Sequence, residues 1–353
     1  MKKITLLFVV IAMQFFAFSQ DSIFIKKDKN PFILTGSIDG YYQFNFNNPT
    51  TAPYNSITSF TQSNKSFELG MASIKVDHSF GKVGATVDIG FGRRVEEFAY
   101  NDTNTLQPVK QLYITYAPSP AIKFSFGTWA THVGYELVDP YLNRNYSMSY
   151  VFTKGPFTHT GVKADINLGG KTAMMVGVSN PIDYRTSPAS PKTLIAQLST
   201  ASKNDRFKVY YNFVTGKQTA HRKVIQNDLV ATYLVNQKFS VGFNGTVQTV
   251  KTDVDSTGKF ISGSWQGLVL YLNYDPLKWL GLTFRNEYID DKDQVLGLKK
   301  VYTPTLSANI KIDNLTLIPE FRYQQLGNPL FYKNQTTTTS TTGSFILAAV
   351  YHF

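Results

Sequence analysis

Side chains that alternate between apolar and polar with a period of two run through most of this 353-residue chain. In the first such stretch, every second residue is apolar, aromatic or glycine: Phe32, Leu34, Gly36, Ile38, Gly40, Tyr42, Phe44 and Phe46. The pattern returns in residues 83–91, 162–168, 207–213, 306–312 and 315–323. Successive side chains of a strand point to opposite faces, so each stretch predicts a strand with one oily and one polar face. Because no comparable stretch has helical spacing, the sequence predicts an all-β fold.

The composition narrows the kind of β protein. Aromatic residues make up 14% of the chain and charged residues only 17%, yet the mean hydropathy is −0.17. In soluble domains, about a quarter of the residues are usually charged. A helical membrane protein needs runs of about 20 apolar residues, and the body of the chain has none. The chain has no cysteine, which excludes disulfides and thiolate metal sites.

The N-terminal residues have the pattern of a secretory signal peptide. Lys2 and Lys3 precede an apolar run, and small residues at Ala17 and Ser19 favour cleavage before Gln20. A membrane anchor is the weaker alternative, because the run is short and no basic flank follows at once. We therefore expect a signal peptide over 1–19, a polar leader over 20–30 and a single folded unit over 31–353.

The connections between the predicted strands come in two alternating kinds. Short ones rich in Gly, Pro, Asn and Asp lie near residues 81, 118–120, 169–170, 204–205, 236–237, 275–276 and 313–314. Long polar ones lie at 47–64, 93–108, 134–156, 181–191, 216–224, 251–263, 290–300 and 327–342. Seven turns and eight loops join about sixteen strands, with eighteen as the alternative. The layout predicts a transmembrane, antiparallel, up-and-down β-barrel with short periplasmic turns and long extracellular loops.

The last strand alternates up to Phe353, the final residue. This ending resembles the assembly signal of bacterial outer-membrane barrels, whereas in a soluble sandwich it would be incidental. Aromatic residues near the predicted strand ends are expected to form interfacial girdles. They include Tyr41, Tyr42, Phe44, Phe46, Tyr271, Tyr274 and Trp279.

Three stretches resemble a known family. They are GSIDGYYQFNFN from Gly36, FELGMASIKVDHSFGKVGATVDIGFG from Phe67, and THVGYELVDPYLNRNYSMSYVFTKGPFTHTGVKADINLG from Thr131. Together they are similar to the OmpL-like β-barrel porin-2 family of outer-membrane porins, most specifically in the third stretch. The signal ending Ser19-Gln20 is similar to those common in Bacteroidetes. The resemblance implies an outer-membrane location and channel activity, and it carries no catalytic residues.

A sixteen-stranded barrel leaves an aqueous lumen, so inward-facing charges are candidates for lining a pore. On the lipid face an Arg or Lys near mid-membrane would cost about 2–4 kcal/mol. The pore-lining candidates are Asp88, Lys163, Asp165, Lys208, Arg285, Glu287, Lys311, Glu320 and Arg322. The last five share one parity on three consecutive strands and could form a wall of paired charge. The alternative is that they line a wet lumen and neutralise one another.

The predicted loop 134–156 is unusually long and rich in apolar and aromatic residues. We expect it to bury these side chains by folding into the barrel mouth as a constriction loop. Glu136, Asp139 and Arg144 are then the candidate charges at the narrowest point. An extra strand pair including 146–154 is the alternative, although it would break the alternation of turns and loops.

These observations predict a porin for passive diffusion of small hydrophilic solutes. A slight anion preference is expected from the formal charge of +11, or +9 after removal of Lys2 and Lys3. The alternative is a non-conducting barrel that acts through its loops as an adhesin, structural protein or partner subunit. Expected partners are the bilayer, lipopolysaccharide and, through the strand ending in Phe353, the barrel-assembly machinery.

Other functions find little support in the sequence. The five histidines are scattered and no catalytic fingerprint is present, so we expect no enzyme activity, metal or cofactor. The Lys and Arg residues are dispersed rather than gathered in a stripe, which argues against nucleic-acid binding. The oligomeric state stays open, with a trimer favoured only by analogy to general porins.

Overall fold

The computed structural model describes residues 32–254, 258–333 and 336–353. The predicted signal peptide and leader lie outside the described residues. Sixteen antiparallel strands form one closed barrel, which confirms the predicted fold class and strand number. Fifteen of them are β1 (Phe32–Asn45), β2 (Ser66–Phe80), β3 (Val83–Phe91), β4 (Val109–Ser119), β5 (Ile122–Ala130), β6 (Thr158–Gly169), β7 (Thr172–Ser179), β8 (Thr193–Ala201), β9 (Phe207–Thr219), β10 (Arg222–Leu234), β11 (Phe239–Thr252), β12 (Ile261–Leu277), β13 (Leu280–Asp291), β14 (Lys299–Ile312) and β15 (Leu315–Leu326).

A short hairpin precedes the last barrel strand. It consists of β16 (Phe331–Lys333) and β17 (Thr337–Thr339), and the barrel then ends with β18 (Thr341–His352). Two short helices, α1 (Arg93–Phe98) and α2 (Tyr150–Thr153), lie in connections, as do 3-10 turns at Asn104–Leu106 and Pro140–Leu142. No helix in the described part of the chain is long and apolar enough to span a membrane.

The barrel closes between its first and last strands. β1 and β18 pair from Ser37 with His352 to Asn45 with Ser344. Beyond this ladder, Gly36 N–H donates to the Phe353 carbonyl at 3.0 Å and Phe353 N–H donates back at 2.9 Å. A Cβ on Gly36 would lie 2.3 Å from the Phe353 ring, so a larger residue at this position would have to displace that ring. The terminal residue is therefore part of the closure.

The two faces of the strands follow the predicted parity. On β14, Leu306 is 56% exposed, whereas the neighbouring Thr305 and Ser307 point inward and are buried. Leu306 is one of many large apolar side chains that are exposed in the described residues, as expected of a band that contacts lipid. The buried apolar clusters lie inside the barrel and beneath its loops, where Tyr150, Trp265 and Tyr271 belong to the largest cluster.

Two details of the sequence prediction are wrong. The predicted loop 216–224 is a turn at 220–221, because β9 continues to Thr219 and β10 begins at Arg222. The polar side chain of Gln218 points inward, where it bonds to Thr193, so its polarity marks a lumen position rather than a loop. Tyr41 and Tyr271 are not girdle residues, since both are inward-facing and 3% exposed.

The lipid-facing role of the outer surface gives a depth-dependent prediction. Leu306 lies at the middle of β14, and Leu306→Arg should lower the free energy of unfolding by about 2–4 kcal/mol, because it places a charge in hydrocarbon. Tyr302→Arg, on the same face nearer the strand end, should cost about 0–1 kcal/mol. Urea titration of the folded protein in lipid vesicles measures both. Equal costs for the two variants would contradict the assignment of this face to lipid.

Candidate functional site: a segment that crosses the barrel lumen

The connection between β5 and β6 folds into the barrel. Its residues Tyr146, Met148 and Tyr150 are completely buried. Residues 150–153 form the helical turn α2, which Ser149 caps by accepting the Phe152 N–H at 3.1 Å. The alternative of an additional strand pair over 146–154 is therefore wrong. We call residues 134–156 the lumen segment.

Two wall carboxylates hold the backbone of the lumen segment. Glu320 on β15 accepts the N–H groups of Tyr146 and Ser147 at 2.9 and 3.2 Å. Glu287 on β13 accepts those of Tyr150 and Val151 at 3.0 and 2.7 Å. A buried N–H without a partner is costly, and a segment outside the sheet has no ladder to supply one. The carboxylates of Glu287 and Glu320 supply partners for these N–H groups through charge-assisted hydrogen bonds.

Arg285 on β13 is completely buried and binds the same segment. Its Nη1 donates to Glu136 Oε1 at 2.7 Å and to the Ser147 carbonyl at 2.6 Å. Its Nη2 donates to Ser147 Oγ at 3.0 Å. Glu136 is 3% exposed, so this is a buried ion pair in which both partners also make hydrogen bonds.

Arg322 on β15 joins the lumen segment to another loop. Its Nη1 donates to the Met148 carbonyl at 3.0 Å and to Thr58 Oγ1, in the connection between β1 and β2, at 2.9 Å. The inward charges Arg285, Glu287, Glu320 and Arg322 therefore lie under the lumen segment and contact protein. All four are at most 2% exposed.

The lumen segment also contacts the strands at the start of the barrel. Tyr146 Oη donates to Asp39 Oδ2 on β1 at 2.6 Å. Asp139 forms an ion pair with Lys110 on β4, which also lies 3.2 Å from Asp88 on β3. Asp88 is buried in this group. Because β4 is seven strands from β13 in the closed order, the segment bridges the lumen from one wall to the other.

Each end of the lumen segment is fastened by a buried aspartate. At the first end, Gly134 N–H donates to Asp228 Oδ1 on β10 at 3.0 Å, and Gly134 has a φ of 93° that favours glycine. At the second end, Asp183 Oδ1 accepts the N–H groups of Phe157 and Thr158, both at 2.7 Å. Asp183 Oδ2 accepts the Tyr100 hydroxyl at 2.8 Å. Asp183 therefore joins three connections.

The carboxyl of Asp183 gives the loops a pH dependence. Burial raises its pKa from 3.8 to about 6, while the two backbone N–H groups and the Tyr100 hydroxyl act in the opposite direction. The pKa of Asp183 is higher in the folded protein than in the unfolded chain. Its protonated form therefore stabilises this junction fully at pH values below the unfolded pKa. That stability is lost as the pH rises through about 6.

Because the pKa of Asp183 is raised, we expect the hydrogen bonds of the Phe157 and Thr158 amides to have an opening equilibrium constant about tenfold lower at pH 5 than at pH 7.5. Hydrogen–deuterium exchange, corrected for the intrinsic rates, measures this opening. Asp183→Asn should remove the difference, and Asp205→Asn in an exposed turn should retain it. An unchanged pH dependence in Asp183→Asn would overturn this assignment.

The other candidates lie where water reaches the lumen. The partly exposed set comprises Arg144, Lys163, Asp165, Lys208 and Lys311. Arg144 is in the lumen segment and makes a bidentate pair with Asp275 on β12, at 2.7 and 3.2 Å. Asp165 lies 3.4 Å from Lys163 on the same strand. These groups face the end of the barrel that carries the short turns.

Sequence reasoning did not single out Asp183, Asp228, Lys110 or Asp275 as site residues. Inward parity is a signal for Asp228 alone. Lys110 has the parity of the exposed Leu112 and turns inward at a register shift in the pairing of β3 with β4. Asp275 stands in the predicted turn at 275–276, and nothing local marks Asp183 in its loop. Within the described residues, no group of three or more His, Asp or Glu side chains is placed to hold a metal ion.

A family comparison identifies the fold. The family model described as "Putative beta-barrel porin-2, OmpL-like" matches residues 31–353. The chain belongs to this family. It is an outer-membrane porin, as its resemblance to the family implied, and its bacterial outer-membrane location follows from the same match. No curated protein sequence matches the chain.

Solved porin structures share the barrel. DcaP of Acinetobacter baumannii is 12% identical with a TM-score of 0.61, over 91% of this chain and 97% of that one. The anion-selective porin from Comamonas acidovorans is 9% identical with a TM-score of 0.59, over 91% and 99%. The trimer form of OmpT from Vibrio cholerae is 10% identical with a TM-score of 0.59, also over 91% and 99%. At these identities the likeness shows the fold alone.

Proposed function

We propose that this porin passes small hydrophilic solutes by passive diffusion and that the lumen segment 134–156 is its constriction. The supporting observation is the bridge across the lumen, fastened by Glu287 on β13 and, through Asp139, by Lys110 on β4, which is seven strands from β13 in the closed order. Such a bridge sets the cross-section that a solute meets. Because it rests on hydrogen bonds to rigid strands, it holds a defined width.

The charge of the protein supports a slight preference for anions. The net formal charge is +11, and partly exposed cations such as Lys163, Lys208 and Lys311 face the lumen. A positive potential in a narrow aqueous path raises the local concentration of anions. One structural relative is an anion-selective porin, which agrees with this proposal.

Liposome swelling tests passive diffusion. Vesicles containing the refolded protein should swell in isotonic neutral sugars, and the rate should fall steadily as the sugar becomes larger. Vesicles prepared without protein provide the baseline. Swelling restricted to one solute class would instead support a substrate-selective channel, and swelling at the baseline rate for every sugar would contradict the proposal.

We further propose that the barrel contacts lipopolysaccharide and is inserted by the barrel-assembly machinery through β18. Its terminal Phe353 pairs with Gly36 at the closing seam, as expected if strand pairing at this seam completes assembly.

A trimer is the proposed assembly, supported by the trimer form of a structural relative. Light scattering in detergent, corrected for bound detergent, distinguishes a trimer from a monomer.

A further inference from the structure

Four lysines lie side by side on the barrel, at the end that carries the long loops. The register pairs Lys217 on β9 with Lys223 on β10, and Lys223 with Lys251 on β11. Lys192 precedes β8, and the pairing of β8 with β9 places it beside Lys217. Its Nζ donates to Asn180 Oδ1 at 3.0 Å. We call these four residues the lysine row.

The lysine row is on the outer surface. Lys217 has the parity of the exposed Tyr211, and Lys251 has the parity of the exposed Val247. Lys223 follows the same rule, since it has the parity of the exposed side chains on β10. Successive side chains of a strand point to opposite faces, so the row belongs to the face that contacts lipid rather than to the lumen.

The height of the row matches the outer edge of the lipid-facing band. Ten residues lead from the exposed Phe207, at the short-turn end of β9, to Lys217. This is about 33 Å along the strand. At a tilt of about 40° it is about 25 Å along the membrane normal, the height of the apolar band in outer-membrane barrels. The ammonium groups therefore lie at the level of the lipid head groups in the outer leaflet.

The charges of the row face one another without carboxylates between them. In the part of the chain that the structure describes, none of the four lysines forms an ion pair. Two carboxylates of neighbouring loops contact other groups: Asp253 lies 3.5 Å from His221 Nδ1, and Asp293 accepts the Ser264 N–H at 2.9 Å. Like charges directly opposite each other destabilise a sheet. An anion bound over the row would remove this repulsion.

We propose that the lysine row binds the phosphate groups of lipopolysaccharide in the outer leaflet. This inference rests on the proposed contact of the barrel with lipopolysaccharide and names the site of that contact. Lysine binds phosphate as a point charge, and several lysines at an anionic lipid surface add their attractions. The acyl chains of the same molecule lie along the exposed apolar side chains below the row, which include Tyr211, Leu229 and Val247.

Binding of bisphosphorylated lipid A to the refolded protein in detergent micelles tests the row. The combined variant Lys217→Gln, Lys223→Gln and Lys251→Gln should bind it about a hundredfold more weakly, because each lysine at an anionic lipid surface contributes about fivefold in affinity. Lipid A without phosphate groups should bind equally to this variant and to the wild type. Native mass spectrometry, with a chelator present to exclude bridging divalent cations, measures the bound fraction.

The matched control is the combined variant Lys82→Gln, Lys203→Gln and Lys238→Gln. These lysines are exposed in short turns at the opposite end of the barrel, and their loss removes the same number of charges. The control should bind lipid A like the wild type, and urea titration in lipid vesicles checks that both variants fold.

Equal affinity of the lysine-row variant and the wild type for bisphosphorylated lipid A would overturn the site, as would an equal decrease in the control. The proposed contact with lipopolysaccharide itself fails on a different result, namely wild-type protein that does not bind lipid A.

Discussion

Replacement of residues 136–152 by a short Gly-Ser linker is expected to raise the single-channel conductance several-fold. These residues cross the lumen from Glu287 on β13 to Lys110 on β4, which is seven strands away, so their removal opens the widest available path. The barrel should persist, because the backbone pairing that closes it is made between β1 and β18 themselves. Water can then solvate the exposed wall charges. Recordings in planar bilayers measure the step size.

The matched control for this replacement is a Gly-Ser substitution of residues 103–107, which are largely exposed in the connection between β3 and β4. That variant should conduct like the wild type. If shortening the lumen segment left the step size at the wild-type value in a folded barrel, the segment would not be the constriction.

Arg285→Met is expected to lower the free energy of unfolding by about 3–5 kcal/mol, because it leaves Glu136 as a buried charge without its cation. The substitution also removes the bonds to the Ser147 carbonyl and hydroxyl. Urea titration in lipid vesicles, followed by tryptophan fluorescence, gives this free energy. Lys311→Met, at a water-exposed position, should cost less than about 1 kcal/mol.

A double variant separates the lost ion pair from lost packing. Glu136→Gln combined with Arg285→Met removes both charges, so its cost should be smaller than that of Arg285→Met alone. Equal costs for the single and double variants would show that the Arg285–Glu136 pair does not account for the loss of stability.

The barrel could be predicted because its signals are local. Strand parity depends on neighbouring residues, and the glycine, proline, asparagine and aspartate of tight turns lie beside one another in sequence. The errors arose where residue type was given more weight than parity. Tyr271 has the inward parity of Val269 and Asn273, and it stacks on Tyr135 with ring centroids 4.0 Å apart. Its aromatic ring suggested a girdle position instead.

The wall charges of the site were also predicted from parity, but their partners were not. Glu287 accepts the Tyr150 N–H across 137 residues of sequence, and Glu320 accepts the Tyr146 N–H across 174. Such pairs depend on the path of the lumen segment, which no local pattern specifies. The sequence therefore indicated which residues face inward, and the fold decides which of them meet protein and which meet water.

Ion conductance of the refolded wild-type protein in a planar bilayer tests the central claim most directly. We predict discrete, reproducible current steps, with a reversal potential in a potassium chloride gradient that indicates a preference for chloride. A correctly folded barrel that inserts into the bilayer but gives no current steps would contradict the assignment of a channel to this protein.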